Sequence, residues 1–139
     1  MKRRVLFLCT GNSARSQMAE GLLRHLAGDC FDAVSAGTHP VGINPGAVEA
    51  MKEIGLNISA QRSKHLSKIS KNQFDYVITV CDWAKEACPV FPSTGAMLHW
   101  SFDDPVAVHE AGEARQRVFR RVRDEIEERI QQFLTGLIT

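Results

Sequence analysis

Two hydrophobic patterns alternate along the chain and predict alternating strands and helices. Four short runs are almost continuously apolar or β-branched, as is typical of strands in a parallel sheet. These runs are Val5–Leu8, Phe31–Gly37, Tyr76–Val80 and Ala96–Trp100. Elsewhere apolar residues recur every three or four positions, as on one face of a helix. The first such stretch ends before Gly28, the second runs from Pro45 to Gly55, and the third extends from about Gly112 to the end. The polar segment from Ile58 to Lys71 predicts turns, with one helical turn around Ser67.

The order of these elements predicts a single α/β domain over residues 1–139, with a small parallel sheet of about four strands and helices on both faces. In such sheets ligands bind outside the carboxyl ends of the strands. Cys9, Cys81 and Asp104 each lie just past a predicted strand end. We therefore expect these three residues at one edge of the sheet.

The first strand ends in a loop whose residue types suit a tetrahedral oxyanion. Its sequence is Cys9-Thr10-Gly11-Asn12-Ser13-Ala14-Arg15-Ser16. Glycine and asparagine readily accept left-handed backbone angles, so the loop can curl until its amide N–H groups point inward. A cap at Ser13 would start a helix near Ala14, with its positive end facing the same anion. Arg15 would bind two anion oxygens, and Ser16 would place a hydroxyl beside the Cys9 sulfur.

Composition and charge limit the remaining classes of function. Lys and Arg together number 17 and Asp and Glu 16, which leaves no overall field to attract nucleic acid or an anionic membrane. The apolar run near the start is too short for a signal peptide, and none approaches the ~20 residues that cross a bilayer. We therefore expect a cytoplasmic monomer whose four cysteines are reduced at rest.

Two further cysteines, Cys81 and Cys88, lie seven positions apart. This spacing does not match zinc ligands, which leaves a redox pair or two incidental cysteines. A helix between them would separate their Cα atoms by about 10.5 Å, whereas a disulfide needs about 7 Å or less. The pair can bond only if the segment unwinds, which Pro89 favours. Cys30 has no partner motif nearby and is interpreted as structural.

The stretch from Cys9 to Glu20 resembles the phosphate loop and first helix of the low-molecular-weight protein tyrosine phosphatase fold. Within that fold it is most similar to the thioredoxin-coupled arsenate reductases, and the resemblance covers essentially the whole chain. It implies that Cys9 is the nucleophile, that residues 10–16 bind the oxyanion, and that Asp104 is the general acid. It also implies that two further cysteines relay the oxidation of Cys9 outward. Cys81 and Cys88 match the positions of these two cysteines.

The acid loop departs from the pattern of the phosphatases in one respect. Asp103, Asp104 and Pro105 are followed by Val106-Ala107-Val108, where phosphatases of this fold usually carry a tyrosine. Its absence disfavours phosphotyrosine as the substrate. From the residues alone, both aspartates could also be turn carboxylates before a proline.

A second departure concerns cations. Some arsenate reductases of this group bind potassium through residues resembling Asn12, Glu20 and Ser35 plus an acidic residue, where this chain has Lys64. An ammonium group there would repel or replace a cation, so we expect neither a metal nor a cofactor.

Glu20 and Arg24, four residues apart, predict an exposed ion pair. Four histidines lack ligand-like spacing and are interpreted as structural or surface residues, namely His25, His39, His99 and His109.

The resemblance predicts reduction of arsenate to arsenite by three cysteines, with thioredoxin as the electron donor. Cys9 attacks arsenic, Cys81 attacks the Cys9 sulfur, and Cys88 resolves the resulting disulfide. A tyrosine phosphatase that forms a cysteinyl-phosphate is the rival enzyme, and it would need neither later cysteine. A module that binds oxyanions or senses redox state without turnover is the non-enzymatic rival, and an inert buried Cys9 is the simplest alternative.

Overall fold

Four parallel strands form the sheet in the computed structural model, which describes residues 2–69, 74–81, 95–108 and 111–138. The strands are β1 (Arg3–Cys9), β2 (Phe31–Gly37), β3 (Tyr76–Thr79) and β4 (Ala96–His99). Their order across the sheet is β2-β1-β3-β4, and every neighbouring pair is parallel. The predicted parallel α/β sheet is confirmed, with strand ends that differ by one or two residues.

Three α-helices and two short 3-10 helices accompany the sheet in the described ranges. The α-helices are α1 (Arg15–Ala27), α2 (Pro45–Lys52) and α3 (Glu113–Ile138), and the 3-10 helices span Leu66–Lys68 and Pro105–Ala107. The helical turn expected around Ser67 is therefore present. α2 is shorter than predicted because the chain turns after Lys52 towards Gly55, where φ is +81°.

The two faces of β1 are covered by different helical segments. Val5 and Phe7 pack in the core that contains the buried faces of α1, α2 and α3. Leu6 and Leu8, which point the opposite way, pack with Val77 and with Leu66 of the first 3-10 helix. Both faces of the central strand are thus removed from water, which accounts for its nearly continuous apolar sequence.

The strand order reverses beside β1, and this reversal places the candidate site. The chain passes from β1 to β2 on one side and later returns to β3 on the other. The crevice outside the carboxyl ends of β1 and β3 is therefore the switch point where ligands bind in such sheets. Cys9 ends β1, and Cys81 lies two residues beyond the end of β3.

The described helices can be compared with two predictions, one about membrane-spanning segments and one about a helix between Cys81 and Cys88. Within the described ranges no helix has the length and apolar character needed to cross a membrane. The segment from Asp82 to Cys88, which the sequence predicts to be helical, lies outside the described residues. That helix stays a prediction.

Candidate active site

The carbonyl groups of residues 10–14 are all hydrogen-bonded to other parts of the chain. Thr10 accepts from the His39 amide (2.9 Å), Gly11 from Val41 (3.1 Å), Asn12 from Gln17 Nε2 (3.1 Å), Ser13 from Asn44 (3.0 Å) and Ala14 from Met18 (2.8 Å). In a trans peptide the carbonyl and the following N–H point in opposite directions, and no described peptide bond is cis. The amides of residues 11–15 consequently face away from these partners, which is the arrangement that an anion nest requires.

Asn12 provides the left-handed turn that the loop requires. Its φ is +46°, the only positive value among the described non-glycine residues, and its side chain is fully buried. Its Nδ2 donates to Ser16 Oγ at 2.9 Å, and its Oδ1 accepts from the Lys64 amide at 2.8 Å. The side chain thus fixes the loop from two sides.

The expectation that Ser13 caps the first helix is wrong. α1 begins at Arg15, and Ala14 occupies the cap position without a side-chain cap hydrogen bond. The first amides of α1 are the groups that an oxyanion would bind, together with the positive end of the helix dipole. A side-chain cap would compete with the anion, so its absence is consistent with a binding site.

Cys9 lies at the floor of the pocket. Its side chain is buried, and its sulfur lies 2.9 Å from Ser16 Oγ, as the sequence predicts for Ser16. The pocket has a volume of about 340 Å³ and is lined by Cys9, Thr10, Gly11, Ser13, Ala14, Arg15, His39, Val41, Asp104 and Val106. Most of the residues predicted to bind the oxyanion are therefore gathered around the sulfur.

Arg15 connects the loop to the predicted acid. Its guanidinium is buried and donates from Nη1 to the Phe102 carbonyl at 3.3 Å, while Nη2 lies 3.5 Å from Asp104 Oδ2. Asp103 instead pairs with Arg121, at 2.9 Å. Of the two candidate carboxylates, Asp104 is the one that lines the pocket.

Replacing Arg15 by lysine should lower kcat/KM for any oxyanion substrate by about 10²- to 10³-fold, the usual cost of losing an oxyanion donor. A single ammonium cannot reproduce the two-pronged contact or hold the Phe102 carbonyl at the same time. Steady-state kinetics measure the effect. Arg129→Lys is the matched control, because that guanidinium lies over the Trp100 ring and outside the pocket lining. Equal kinetics for wild type and Arg15→Lys would contradict the assignment.

The segment after β2 contributes residues that the sequence analysis missed. His39 and Val41 line the pocket. The sequence pattern predicts a structural or surface role for His39 and no role for Val41. Val106, in the 3-10 helix that begins at Pro105, also lines the pocket and is exposed. The available signal was the position of residues 38–44 just past the carboxyl end of a parallel strand, where ligand-binding loops are expected.

Gly37 lets β2 approach the loop at a distance that no side chain would allow. A Cβ atom at this position would lie against the Thr10 carbonyl oxygen and 2.8 Å from that of Cys9. Both atoms belong to backbone in the core of the site, so the loop itself would have to move.

We therefore expect Gly37→Ala to lower the free energy of unfolding by about 2 kcal/mol through overpacking, and to weaken oxyanion binding. Urea unfolding and calorimetric titration with phosphate measure the two effects. Gly136→Ala is the control, because a Cβ there meets open space in α3. Unchanged stability and binding in Gly37→Ala would refute the close approach.

Glu20 and Lys64 are two of the residues at positions that resemble a potassium site. Arg24 pairs with Glu20 at 2.6 Å, but Glu20 is buried and also accepts from Ser35 Oγ at 2.7 Å, so the predicted exposed pair is partly wrong. Burial lowers the pKa of Lys64, and the charge of Glu20 opposes this shift. No group of three or more His, Cys, Asp or Glu side chains in the described ranges is arranged to hold a metal ion.

The cysteines differ in their state. Cys81 is buried and disulfide-bonded, so the expectation that all four cysteines are reduced is wrong for Cys81. Cys9 and Cys30 carry free thiols, and Cys30 is exposed. Cys88 lies outside the described residues. Its pairing with Cys81 therefore remains a prediction.

The chain is similar to known proteins over nearly its full length. An arsenate reductase of Halalkalibacterium halodurans is 48% identical over 132 residues, which are 95% of each chain. A solved arsenate reductase in its phosphate-binding state superposes with a TM-score of 0.81 at 29% identity, covering 96% of this chain and 98% of that one. A thioredoxin-dependent arsenate reductase of Corynebacterium glutamicum superposes with a TM-score of 0.66 at 29% identity, over 97% of this chain and 63% of that one.

The sequence profile of one family extends over nearly the whole of the described fold. It matches residues 4–138, which include β1 from its second residue, the loop after Cys9, the other three strands and the acid loop. The chain therefore belongs to the low molecular weight phosphotyrosine protein phosphatase family.

Proposed function

We propose that this protein reduces arsenate to arsenite through Cys9, Cys81 and Cys88, with thioredoxin as the reductant. The observation that carries the proposal is the free Cys9 thiol at the floor of a nest built for a tetrahedral oxyanion. The similarity to arsenate reductases over 95% of the chain supports arsenate as that oxyanion.

The first step forms a bond between the Cys9 sulfur and arsenic, and one arsenate oxygen leaves as water. Arg15 and the loop amides hold the remaining oxygens, and Asp104 supplies a proton to the leaving oxygen. The position of Asp104 beside Arg15 supports this role. Ser16 stabilises the attacking sulfur through their contact.

In the second step the Cys81 sulfur attacks the Cys9 sulfur, and the electron pair of the sulfur–arsenic bond passes to arsenic, which leaves as arsenite. The topology supports this step. Cys9 ends β1 and Cys81 lies two residues beyond the end of the neighbouring strand β3, so both cysteines lie at the same edge of the sheet.

In the third step Cys88 attacks Cys81, which frees the Cys9 thiol and leaves a Cys81–Cys88 disulfide. An external dithiol then reduces this disulfide by exchange and restores the starting state. A disulfide at Cys81 beside a free Cys9 is consistent with this stage. We propose thioredoxin as the dithiol because the similar protein of Corynebacterium glutamicum is thioredoxin-dependent.

A tyrosine phosphatase activity is the second candidate, since the family and the nest both suit phosphate esters. It would use Cys9, Arg15 and Asp104 alone. The deciding experiment supplies arsenate with thioredoxin, thioredoxin reductase and NADPH, and supplies an aryl phosphate in parallel. NADPH oxidation that depends on both arsenate and thioredoxin supports the proposal, whereas aryl phosphate hydrolysis alone would replace it with the second candidate.

A further inference from the structure

Two consecutive aspartates precede Pro105, and different arginines hold their carboxylates. Asp104 Oδ2 lies 3.5 Å from Arg15 Nη2 in the pocket, while Asp103 Oδ2 accepts a 2.9 Å hydrogen bond from Arg121 Nη2 in α3. The backbone at Asp104 is extended, with φ −87° and ψ 107°. Neighbouring side chains on extended backbone point to opposite sides, so one carboxylate enters the pocket and the other faces α3.

Arg121 is well placed to hold Asp103. Its Nη1 donates to Glu125 Oε2 at 2.9 Å, one helical turn further along α3. The hydrogen bonds that Arg121 donates to Glu125 and to Asp103 raise the pKa of Arg121. α3 itself is anchored in the core by Phe119 and Val122. The arginine therefore projects from a rigid element.

We infer that Arg121 is a positioning residue that keeps Asp103 out of the active site and so determines that Asp104 meets the bound oxyanion. The inference deepens the function proposed above and rests on it. Arg15 already holds the Phe102 carbonyl and Asp104. If Arg121 were removed, the Asp103 carboxylate would have no cation to pair with and would lie next to the Asp104 carboxylate. Asp103 would then compete with Asp104 for Arg15.

A set of substitutions separates this competition from a simple loss of stability. The measured quantity is the single-turnover rate at which arsenate in excess oxidises two thiols of the reduced enzyme without an added reductant, as a function of arsenate concentration. Arg121→Met should lower the maximal rate by about two- to fivefold, the effect of a half-exposed ion pair, and leave the half-saturating concentration unchanged. Arg121→Lys should retain the rate.

The second aspartate provides the decisive comparison. Asp103→Asn removes the competing carboxylate and should react like wild type, and adding it to Arg121→Met should restore the rate. Arg120→Met is the matched control, because Arg120 pairs with Glu53 and Glu113 and should not affect the reaction. A double variant as slow as Arg121→Met, or an equal loss in Arg120→Met, would overturn the inference.

A spectroscopic measurement tests the inference independently of arsenate reduction. The Val106 amide donates to Asp104 Oδ1 at 3.0 Å, so its NMR chemical shift reports the position of that carboxylate. Arg121→Met should shift this resonance in the substrate-free protein, and Arg120→Met should leave it in place. An unchanged Val106 resonance in Arg121→Met would refute the positioning role, whereas failure of wild type to reduce arsenate would refute only the proposed function.

Discussion

Replacing Cys9 by serine should lower arsenate reduction by about 10³-fold or more, and any aryl phosphate hydrolysis to the same extent. One sulfur at the floor of the nest serves both reactions. A serine hydroxyl stays protonated at neutral pH and cannot supply the anionic nucleophile. Coupled NADPH oxidation and release of the aryl alcohol measure the two losses.

Cys30→Ser is the matched control for this substitution. Cys30 is a free thiol like Cys9 but is exposed and absent from the pocket lining, so its variant should keep full activity. Calorimetric titration with phosphate should show that Cys9→Ser still binds the oxyanion, because the amides and Arg15 remain. Arsenate turnover that persists in Cys9→Ser would exclude Cys9 as the nucleophile.

The Cys81→Ser and Cys88→Ser variants should lose multiple turnover of arsenate and keep aryl phosphate hydrolysis. A cysteinyl-phosphate is hydrolysed by water, whereas the sulfur–arsenic adduct needs a thiol to release arsenite. The two variants should also differ from each other. Cys88→Ser should release one equivalent of arsenite and stop as a Cys9–Cys81 disulfide, while Cys81→Ser should release none.

Arsenite quantification and mass spectrometry of the trapped protein distinguish these stages, with Cys30→Ser again as the control. If both activities fell together in Cys81→Ser, the buried Cys81 would be a structural residue and the relay would be wrong. If both variants kept multiple turnover with thioredoxin, the electrons would have to reach Cys9 by another route.

The positions of the strands and the form of the oxyanion loop could be predicted from the sequence because both depend on neighbouring residues. The mostly β-branched run at Tyr76–Thr79 favours a strand that is buried on both faces, and this preference belongs to the run itself. The Gly11-Asn12 pair predicts a left-handed turn, and Asn12 takes it. Once parallel strands were expected, their carboxyl ends defined the edge where Cys9 and Cys81 lie.

Other features of the site depend on residues far apart in the sequence. The carbonyls of Thr10 and Gly11 accept hydrogen bonds from the His39 and Val41 amides. The position of residues 38–44 after β2 indicates a loop near the site but does not identify these partners. Ser13 has the composition of a helix cap, yet its carbonyl bonds to Asn44 and no side chain caps the helix. Local preference did not decide the start of the helix, because Ala14 and not Ser13 occupies the cap position.

The choice between the two aspartates shows the same division most clearly. The sequence by itself determined that an acidic loop follows the fourth strand, since Asp and Pro favour turns wherever they occur. Only the tertiary structure decided that Asp104 faces Arg15 while Asp103 faces Arg121. Those arginines are 89 and 18 residues away from their partners, and the side to which each carboxylate turns depends on how α1 and α3 pack against the sheet.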